Sequence, residues 1–381
     1  GYVAPNTDLN ASGGANKAQD SEGQRGVFDH VISIKAEGLL NTLFATFNID
    51  PLARIKSDVN GRIVPGGSTF STTEHILPDY FLEGTKKIRE AKEHGVHYYA
   101  QAVDIVLKQL YQAITSPNCR LFNGDIEYSL KQALQWFIKC AQDFIQSKGE
   151  SFLHGDDQNL YFVIRPDHID DIESYGHTLA NELVSHLEQR LKEEFQLSSH
   201  FELQYQSYFR RFIAPLSKKG DDFKFAGLER SNKTDDKEII SGIALSGNDW
   251  CEMAEDFLLD FLQAHFRQEN IDAWLKEYTQ RLKDGEFDEK LEFSKKLVKR
   301  AEEYSGTVPA QARAAQLLEN PGKNINYVHT KRGPIPVELD HKDFDYQYYI
   351  DRQLAPIADS VLKTQGKDLK EVLNPKQLSL F

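Results

Sequence analysis

Long apolar runs are missing from this chain. Nothing in its 381 residues approaches the roughly 20 consecutive apolar positions that cross a bilayer, and no secretory signal opens it. Cysteine is scarce too. Cys119, Cys140 and Cys251 are the only three, far apart and without metal-ligand spacing, which excludes a disulfide framework and fits a reducing, cytoplasmic setting. Each is expected to be a small buried apolar residue. An excess of base is also lacking: 45 Lys and Arg against 58 Asp and Glu leave a formal net charge of −13. Any grip on nucleic-acid phosphates must therefore rest on local basic patches working against a repulsive field. His94 and His97 stand at i,i+3, but no third ligand accompanies them, so surface histidines are expected there and no metal site. What remains is ordinary globular composition, 40% hydrophobic and 27% charged, with room for two or three domains.

Residues 1–26, rich in Gly, Asn, Ser and Ala, form a lead-in without apolar periodicity. The β-branched run Val27–Ile34 predicts a strand, and Leu39–Phe47 a helix that ends at Asp50-Pro51. Two helical patterns broken at His94-Gly95 predict an antiparallel αα-hairpin. An amphipathic helix is expected over about Ile126–Ser147. A β-hairpin should follow, from Ser151–Leu153 to Leu160–Ile164, turning at His154-Gly155-Asp156-Asp157-Gln158-Asn159. Another helix is expected from His168 to Phe195, then strands at Phe201–Tyr205, Tyr208–Ile213 and Glu238–Ile243. From Asn248 onward the text reads as mainly helical and heavily charged, and Tyr346, Tyr348 and Tyr349 read as helix packing. The fold class is α+β with an inserted helical hairpin.

This order, with several short stretches, resembles the polymerase half of the B-family DNA polymerases, the bacterial polymerase II group being nearest in pattern. The stretches are Thr46–Pro51, Arg89-Glu90-Ala91-Lys92, Gln101-Ala102, Cys119–Phe122, Phe225–Leu228, Asn248-Asp249-Trp250, Val308-Pro309, Ala312–Ala315 and Gln353–Pro356. The resemblance implies a right-hand architecture with an antiparallel palm sheet, αα-hairpin fingers and a mainly helical thumb. The corresponding divisions are 27–71 palm, 72–117 fingers, 118–247 palm, 248–366 thumb and 367–381 tail. Family members carry an exonuclease domain upstream, and the chain starts with Gly1 in place of Met, so such a domain is expected to precede it.

The family's chemistry uses two carboxylates holding two Mg²⁺ ions about 3.5–4 Å apart. Its first motif, Asp-x-x-Ser-Leu-Tyr-Pro-Ser, falls on Lys35–Thr42. Lys35 then stands for the metal-binding Asp and Leu40 for the stacking Tyr. Its second, Tyr-Gly-Asp-Thr-Asp-Ser, falls on His154–Asn159, with Gln158 at the principal ligand position. Asp156 survives, and Asp157 is expected to point to the opposite face of the hairpin and so not to substitute. The triphosphate-binding Arg and Lys fall on Ile88 and Asp104, and the Asn of Lys-x-x-x-Asn-Ser-x-Tyr-Gly on Lys108. An Asp facing a triphosphate repels it. The resemblance thus implies that Mg²⁺ and nucleotide binding are lost.

For DNA, the palm stretch keeps Lys224, and the thumb keeps Arg313 and the turn residues Lys331 and Arg332. The final pentapeptide, Gln377-Leu378-Ser379-Leu380-Phe381, resembles the bacterial sliding-clamp binding peptide, with Gln377, Leu378, Leu380 and Phe381 as contacts. The expectation is a catalytically inactive polymerase-like protein that binds the clamp and holds primer–template DNA in replication or repair. The alternatives are an active polymerase using the displaced carboxylates Glu37 and Asp156, and a DNA-independent scaffold recruited by its tail.

Overall fold

The computed structural model describes residues 23–374 apart from 56–60, 199–200, 218–221, 231–235, 246, 248, 301–302 and 305–307. The chain divides into two compact units. One is Gly1–Gln24 with Asp29–Arg210, the other Arg25–Phe28 with Arg211–Phe381.

In the first unit β1 (Gly26–Ala36) runs beside the antiparallel hairpin β4 (Ser151–Gly155) and β5 (Asn159–Val163), in strand order β4-β5-β1-β6, with β6 over Leu203–Ala214. Val31, Ile32, Ser33 and Ile34 are all buried, as expected for a β-branched strand covered on both faces. The register sets Ile32 against Phe162, Ile34 against Leu160 and Lys35 against Asn159. Two long helices, α5 (Gly124–Ser147) and α6 (Ile172–Phe195), pack with this sheet. In α6 the buried residues Leu179, Leu183, Leu187 and Leu191 recur every fourth position, so one stripe faces the core. Asn123 caps α5 by accepting the Asp125 N–H at 2.9 Å.

Between β1 and α5 lie α1 (Leu39–Thr46), α2 (Pro51–Ile55), the small hairpin β2 (Gly61–Ile63) and β3 (Thr69–Ser71), and the expected αα-hairpin. The hairpin consists of α3 (Pro78–Glu93) and α4 (His97–Ile114), turning at Gly95 with φ 71°. Gly84 lets the two helices approach, since a Cβ there would lie 2.7 Å from Leu107 Cδ1. Phe81 stacks on Phe44 with centroids 4.6 Å apart, fixing α3 to α1. The fully buried Asp50 ties α2 to the start of α3. Its Oδ1 accepts the N–H groups of Leu52 and Ala53 at 2.7 and 3.0 Å. Its Oδ2 accepts those of Ile76 and Leu77 at 3.0 and 2.8 Å.

The strand β6 (Leu203–Ala214) is one element, where the sequence suggested two. Gln206 and Ser207, read as a break, lie on more exposed positions of a continuous strand. The helix expected from His168 begins at Ile172, after a short 3₁₀ turn over Pro166–His168.

The second unit carries the end of β6, then β7 (Phe225–Glu229), not expected as a strand, and β8 (Lys237–Ser241) antiparallel to it. Helices α7 (Glu252–Phe266) and α8 (Ile271–Lys283) meet through Phe257, Trp274 and Tyr278. The region after Asn248 is less helical than its text suggested. It holds a three-stranded sheet of β9 (Phe293–Lys296), β10 (Asn324–Thr330) and β11 (Gly333–Pro336), with the short α9 (Ala310–Ala315). The chain then forms α10 (Tyr346–Tyr349), a π-helical turn, α11 (Ala355–Leu362) and α12 (Leu369–Leu373). The tyrosines pack as expected. Tyr349 OH donates to the Leu291 carbonyl and accepts the His329 N–H, both at 2.9 Å, and Tyr348 stacks on His329. Buried Gln353 holds the start of α7, accepting the Cys251 N–H at 3.1 Å and donating to the Asp249 carbonyl at 3.0 Å. Cys140 and Cys251 are buried and Cys119 half-buried, all free thiols. Among the described residues no helix is long and apolar enough to cross a membrane.

This unit buries two histidines, His265 and His329, and burial lowers each from an ordinary 6.5 to about 4. Arg211 and Arg313, respectively, add to the effect. The unfolded chain then binds more protons between these values. Stability is therefore full above 6.5 and falls as the pH drops towards 4, by about 3 kcal/mol per histidine. Both ring nitrogens of His265 lack a hydrogen-bond partner, so His265→Leu should cost little at neutral pH. It should also flatten the acid limb of a urea-denaturation profile; an acid limb identical to the wild type would contradict this.

Candidate functional site

The end of β1, the start of α1, the facing sides of α3 and α4, the β4–β5 turn and the start of β6 enclose a cleft of about 590 Å³. All of it lies in the first unit. Lys35 reaches it because β1 ends in register with Asn159, while the Ala36 N–H donates to the Gln158 carbonyl at 2.8 Å. Gly38, at φ 60°, turns the chain from strand into α1. A Cβ on it would lie 2.9 Å from Thr85 Cγ2, so glycine also permits the close approach of α3. The floor is apolar, built from Leu39, Leu40, Phe44, Ala100 and Leu107.

The sequence-derived positions Lys35, Leu40, Ile88, Asp104, Lys108 and Gln158 all line this one cleft, although they come from β1, α1, α3, α4 and the β4–β5 turn. Asp156 does not line it. Its Oδ1 curls back to accept the N–H groups of Gln158 and Asn159 at 2.8 and 2.7 Å. Burial raises the Asp156 carboxyl, but His154 and these two N–H groups outweigh it and hold the carboxyl below its usual range. The expectation that Asp157 turns away is corrected. Residues 156–158 form a turn and not an extended strand, so alternation fails and Asp157 lines the cleft beside Gln158. Burial, with Asp156 next to it, raises the Asp157 carboxyl.

Four basic side chains of the cleft are paired with acidic ones. Lys35 Nζ lies 2.5 Å from Glu37 Oε1, and Lys92 Nζ lies 3.4 Å from Glu37 Oε2. Arg89 pairs with Glu202, and Lys108 Nζ lies 2.8 Å from Asp104 Oδ2. Arg89, Lys92 and Glu202 were not singled out as site residues. The i,i+3 spacing of Arg89 and Lys92 on one face of α3 was the available signal for the two bases. Glu202 had none, because its place depends on where β6 begins.

The candidate DNA contacts belong to the second unit. Lys224 precedes β7, its Cγ 3.1 Å from where a Cβ on Gly242 would lie. Arg313 is exposed on α9, and Lys331 and Arg332 form the β10–β11 turn. Arg332 is already engaged: Nε and Nη2 donate to the two Asp343 oxygens at 3.1 and 2.9 Å, and Nη2 to the Asp340 carbonyl at 2.9 Å. Gln377, Leu378, Leu380 and Phe381 lie outside the described residues.

No family model matches the chain. DNA polymerase II of Escherichia coli K12 is 26% identical over 408 aligned residues, covering all of this chain and 51% of that protein. The DNA polymerase of Desulfurococcus strain Tok is 22% identical over 91% of this chain and 46% of its own length. The solved family B DNA polymerase of the hyperthermophilic archaeon Pyrobaculum calidifontis superposes with a TM-score of 0.65 at 18% identity, covering 89% of this chain and 46% of that one. The fold is that of a family B DNA polymerase. The chain spans about half the length of the relatives it matches.

The residues that this polymerase fold brings into the cleft do not fit a pair of Mg²⁺ ions. Hard divalent cations need several carboxylate or carbonyl oxygens. Here an ammonium group occupies the end of β1, both oxygens of Glu37 are taken by lysines, and the Asp156 carboxylate serves its own turn. Among the described residues no group of three His, Cys, Asp or Glu side chains could hold a metal ion. The proposed substitutes Glu37 and Asp156 are thus not brought together as a ligand pair.

Burial raises the Glu37 carboxyl, and the hydrogen bonds and charges of Lys35 and Lys92 outweigh it, holding it below the ordinary 4.5. The stabilisation is therefore complete above 4.5 and is lost as the pH falls through the depressed value. Lys92 is about half exposed, so solvent screens the pair. A double-mutant cycle of Glu37→Ala and Lys92→Ala should give a coupling of about 1 kcal/mol or less by urea denaturation at neutral pH. The coupling should vanish in acid; one that persists there would contradict the ion-pair origin.

Proposed function

We propose that this chain is a polymerase-like protein that does not catalyse nucleotidyl transfer. In this reading it serves DNA replication or repair by holding primer–template DNA and docking on the bacterial sliding clamp. The observation that carries the first part is the Lys35–Glu37–Lys92 cluster. Two-metal phosphoryl transfer needs cations between carboxylates and the reacting oxygens. An ammonium group at the end of β1 supplies a fixed single charge with no open coordination position. Asp104 adds to this by presenting a carboxylate, paired with Lys108, on the wall where a triphosphate would need cationic donors.

DNA holding rests on the second unit, where Arg313 and Lys331 are exposed. Clamp docking rests on the pentapeptide Gln377–Phe381, whose paired Leu380 and Phe381 suit a hydrophobic pocket and whose Gln377 suits its polar rim. The relatives named as DNA polymerases support the general placement in DNA metabolism.

Primer extension in Mg²⁺ or Mn²⁺ tests the first part. No elongation is expected at any enzyme concentration, and template-directed elongation would overturn the reading. Fluorescence anisotropy with primer–template DNA across salt tests the second. Lys331→Ala should reduce the slope of log affinity against log salt by about 0.9, as for one phosphate contact. Arg332→Ala should change it less, because Asp343 already holds that guanidinium. A slope unmoved by Lys331→Ala would remove this turn from the DNA contact. Loss of clamp pull-down on deleting Gln377–Phe381 is the expected result for the tail.

A further inference from the structure

Three basic side chains converge on one rim of the cleft: Lys35 at the end of β1, and Arg89 and Lys92 on one face of α3. Two carboxylates lie among them. Glu37 reaches Lys35 with one oxygen, at 2.5 Å, and Lys92 with the other, at 3.4 Å; Glu202 takes Arg89. The two glutamates are held side by side by the backbone, the Glu37 N–H donating to the Glu202 carbonyl at 3.1 Å. That bond joins the segment leaving β1 to the segment entering β6. Asn41 Nδ2 donates to Thr85 Oγ1 at 3.0 Å, and the Phe44–Phe81 stack lies behind it, so α3 is fixed where its bases meet these acids. Over the whole cleft, four basic side chains face five acidic ones.

We propose that the carboxylates of Glu37 and Glu202 act as a built-in anion that fills a basic cradle formed by Lys35, Arg89 and Lys92, and so excludes polyphosphate. The inference rests on the reading that the native cleft does not take up a triphosphate, and it supplies the cause. A tethered carboxylate competes without losing translational freedom, whereas a free ligand must lose it. The bases are present and well placed; their charge is already satisfied. Amide replacement of both glutamates keeps the side-chain shape and leaves four basic groups against three acidic ones, exposing a cradle for a chain of phosphate groups. Such a chain could come from a nucleoside triphosphate or from inorganic polyphosphate.

The test is isothermal titration calorimetry of the full chain with inorganic tripolyphosphate and, separately, with dATP, both without divalent metal and at low salt. Wild type should bind either only weakly, its affinity read from titration at high ligand concentration. The Glu37→Gln, Glu202→Gln double variant should bind both at least about tenfold more tightly than wild type, a gain of ~1.4 kcal/mol. The affinity should fall as salt rises. Adding Arg89→Ala and Lys92→Ala to that variant should abolish the gain. The single Glu202→Gln change alters one partly exposed side chain and guards against misfolding of the double variant. It should give a smaller gain, about threefold, or roughly 0.7 kcal/mol.

No gain in Glu202→Gln overturns the proposal. So does a folded double variant that binds no better than wild type, a gain that survives loss of Arg89 and Lys92, or a gain seen with dATP and not with tripolyphosphate. Wild-type binding as tight as that of the double variant also overturns it. Failure of the inactive-polymerase reading is a separate result, since it is read from primer extension by the wild type.

Discussion

The cleft is organised by one carboxylate. Glu37 neutralises Lys35 with one oxygen and Lys92 with the other, and so joins the end of the central strand to the helical hairpin that roofs the cavity. Without it, two ammonium groups would face each other across a partly buried rim. With it, the positive charge at the end of β1 and on α3 is satisfied from within. The pairing of Arg89 with Glu202 and of Lys108 with Asp104 extends the same balance across the cavity. Every lysine and arginine of the cleft thus has an acidic partner within it.

The scaffold around it does not depend on those charges. The sheet is held by the fully buried strand segment Val31–Ile34 against Leu160 and Phe162, and by the leucine stripe of α6. Buried polar residues then fix how the helices enter. Asp50 satisfies four backbone N–H groups at the starts of α2 and α3, and Gln353 holds the first turn of α7. The site residues, by contrast, stand at a strand end, on a turn and on half-buried or exposed helix faces. Substitutions at such places change charge and leave most of the core untouched, so a chain 26% identical to DNA polymerase II can share that fold while its cleft carries Lys35 and Gln158.

Much of this was legible in the sequence, and the parts that were not have physical causes. The β-branched run of β1, the broken helical pair at Gly95, the α5 periodicity and the Gly-Asp turn are local signals, and the structure contains each. The convergence of Lys35, Leu40, Ile88, Asp104, Lys108 and Gln158 on one cleft was legible only through the family resemblance, since no single-sequence pattern links positions so far apart. The orientation of Asp157 was misread because side-chain alternation was applied to a turn that Asp156 closes with its own carboxylate. Continuity of β6 was missed because Gln206-Ser207 looks like a break, although polar residues suit the outer face of a strand. The sheet of β9, β10 and β11 was missed because its strands are short and set among lysines. Glu202 is a tertiary partner, found only once β6 lies beside β1.

If the lysines of the cleft stand in for cations, the cleft takes up no divalent metal. Electron paramagnetic resonance of Mn²⁺ titrated into the full wild-type chain tests this directly, because the free-ion signal reports occupancy without requiring catalysis. The expected result is a free-Mn²⁺ signal that rises in proportion to added metal up to about millimolar concentration, with no saturable site in the cleft. Saturable loss of two Mn²⁺ ions per chain, abolished by Gln substitution at Glu37 and Asn substitution at Asp157, would contradict it.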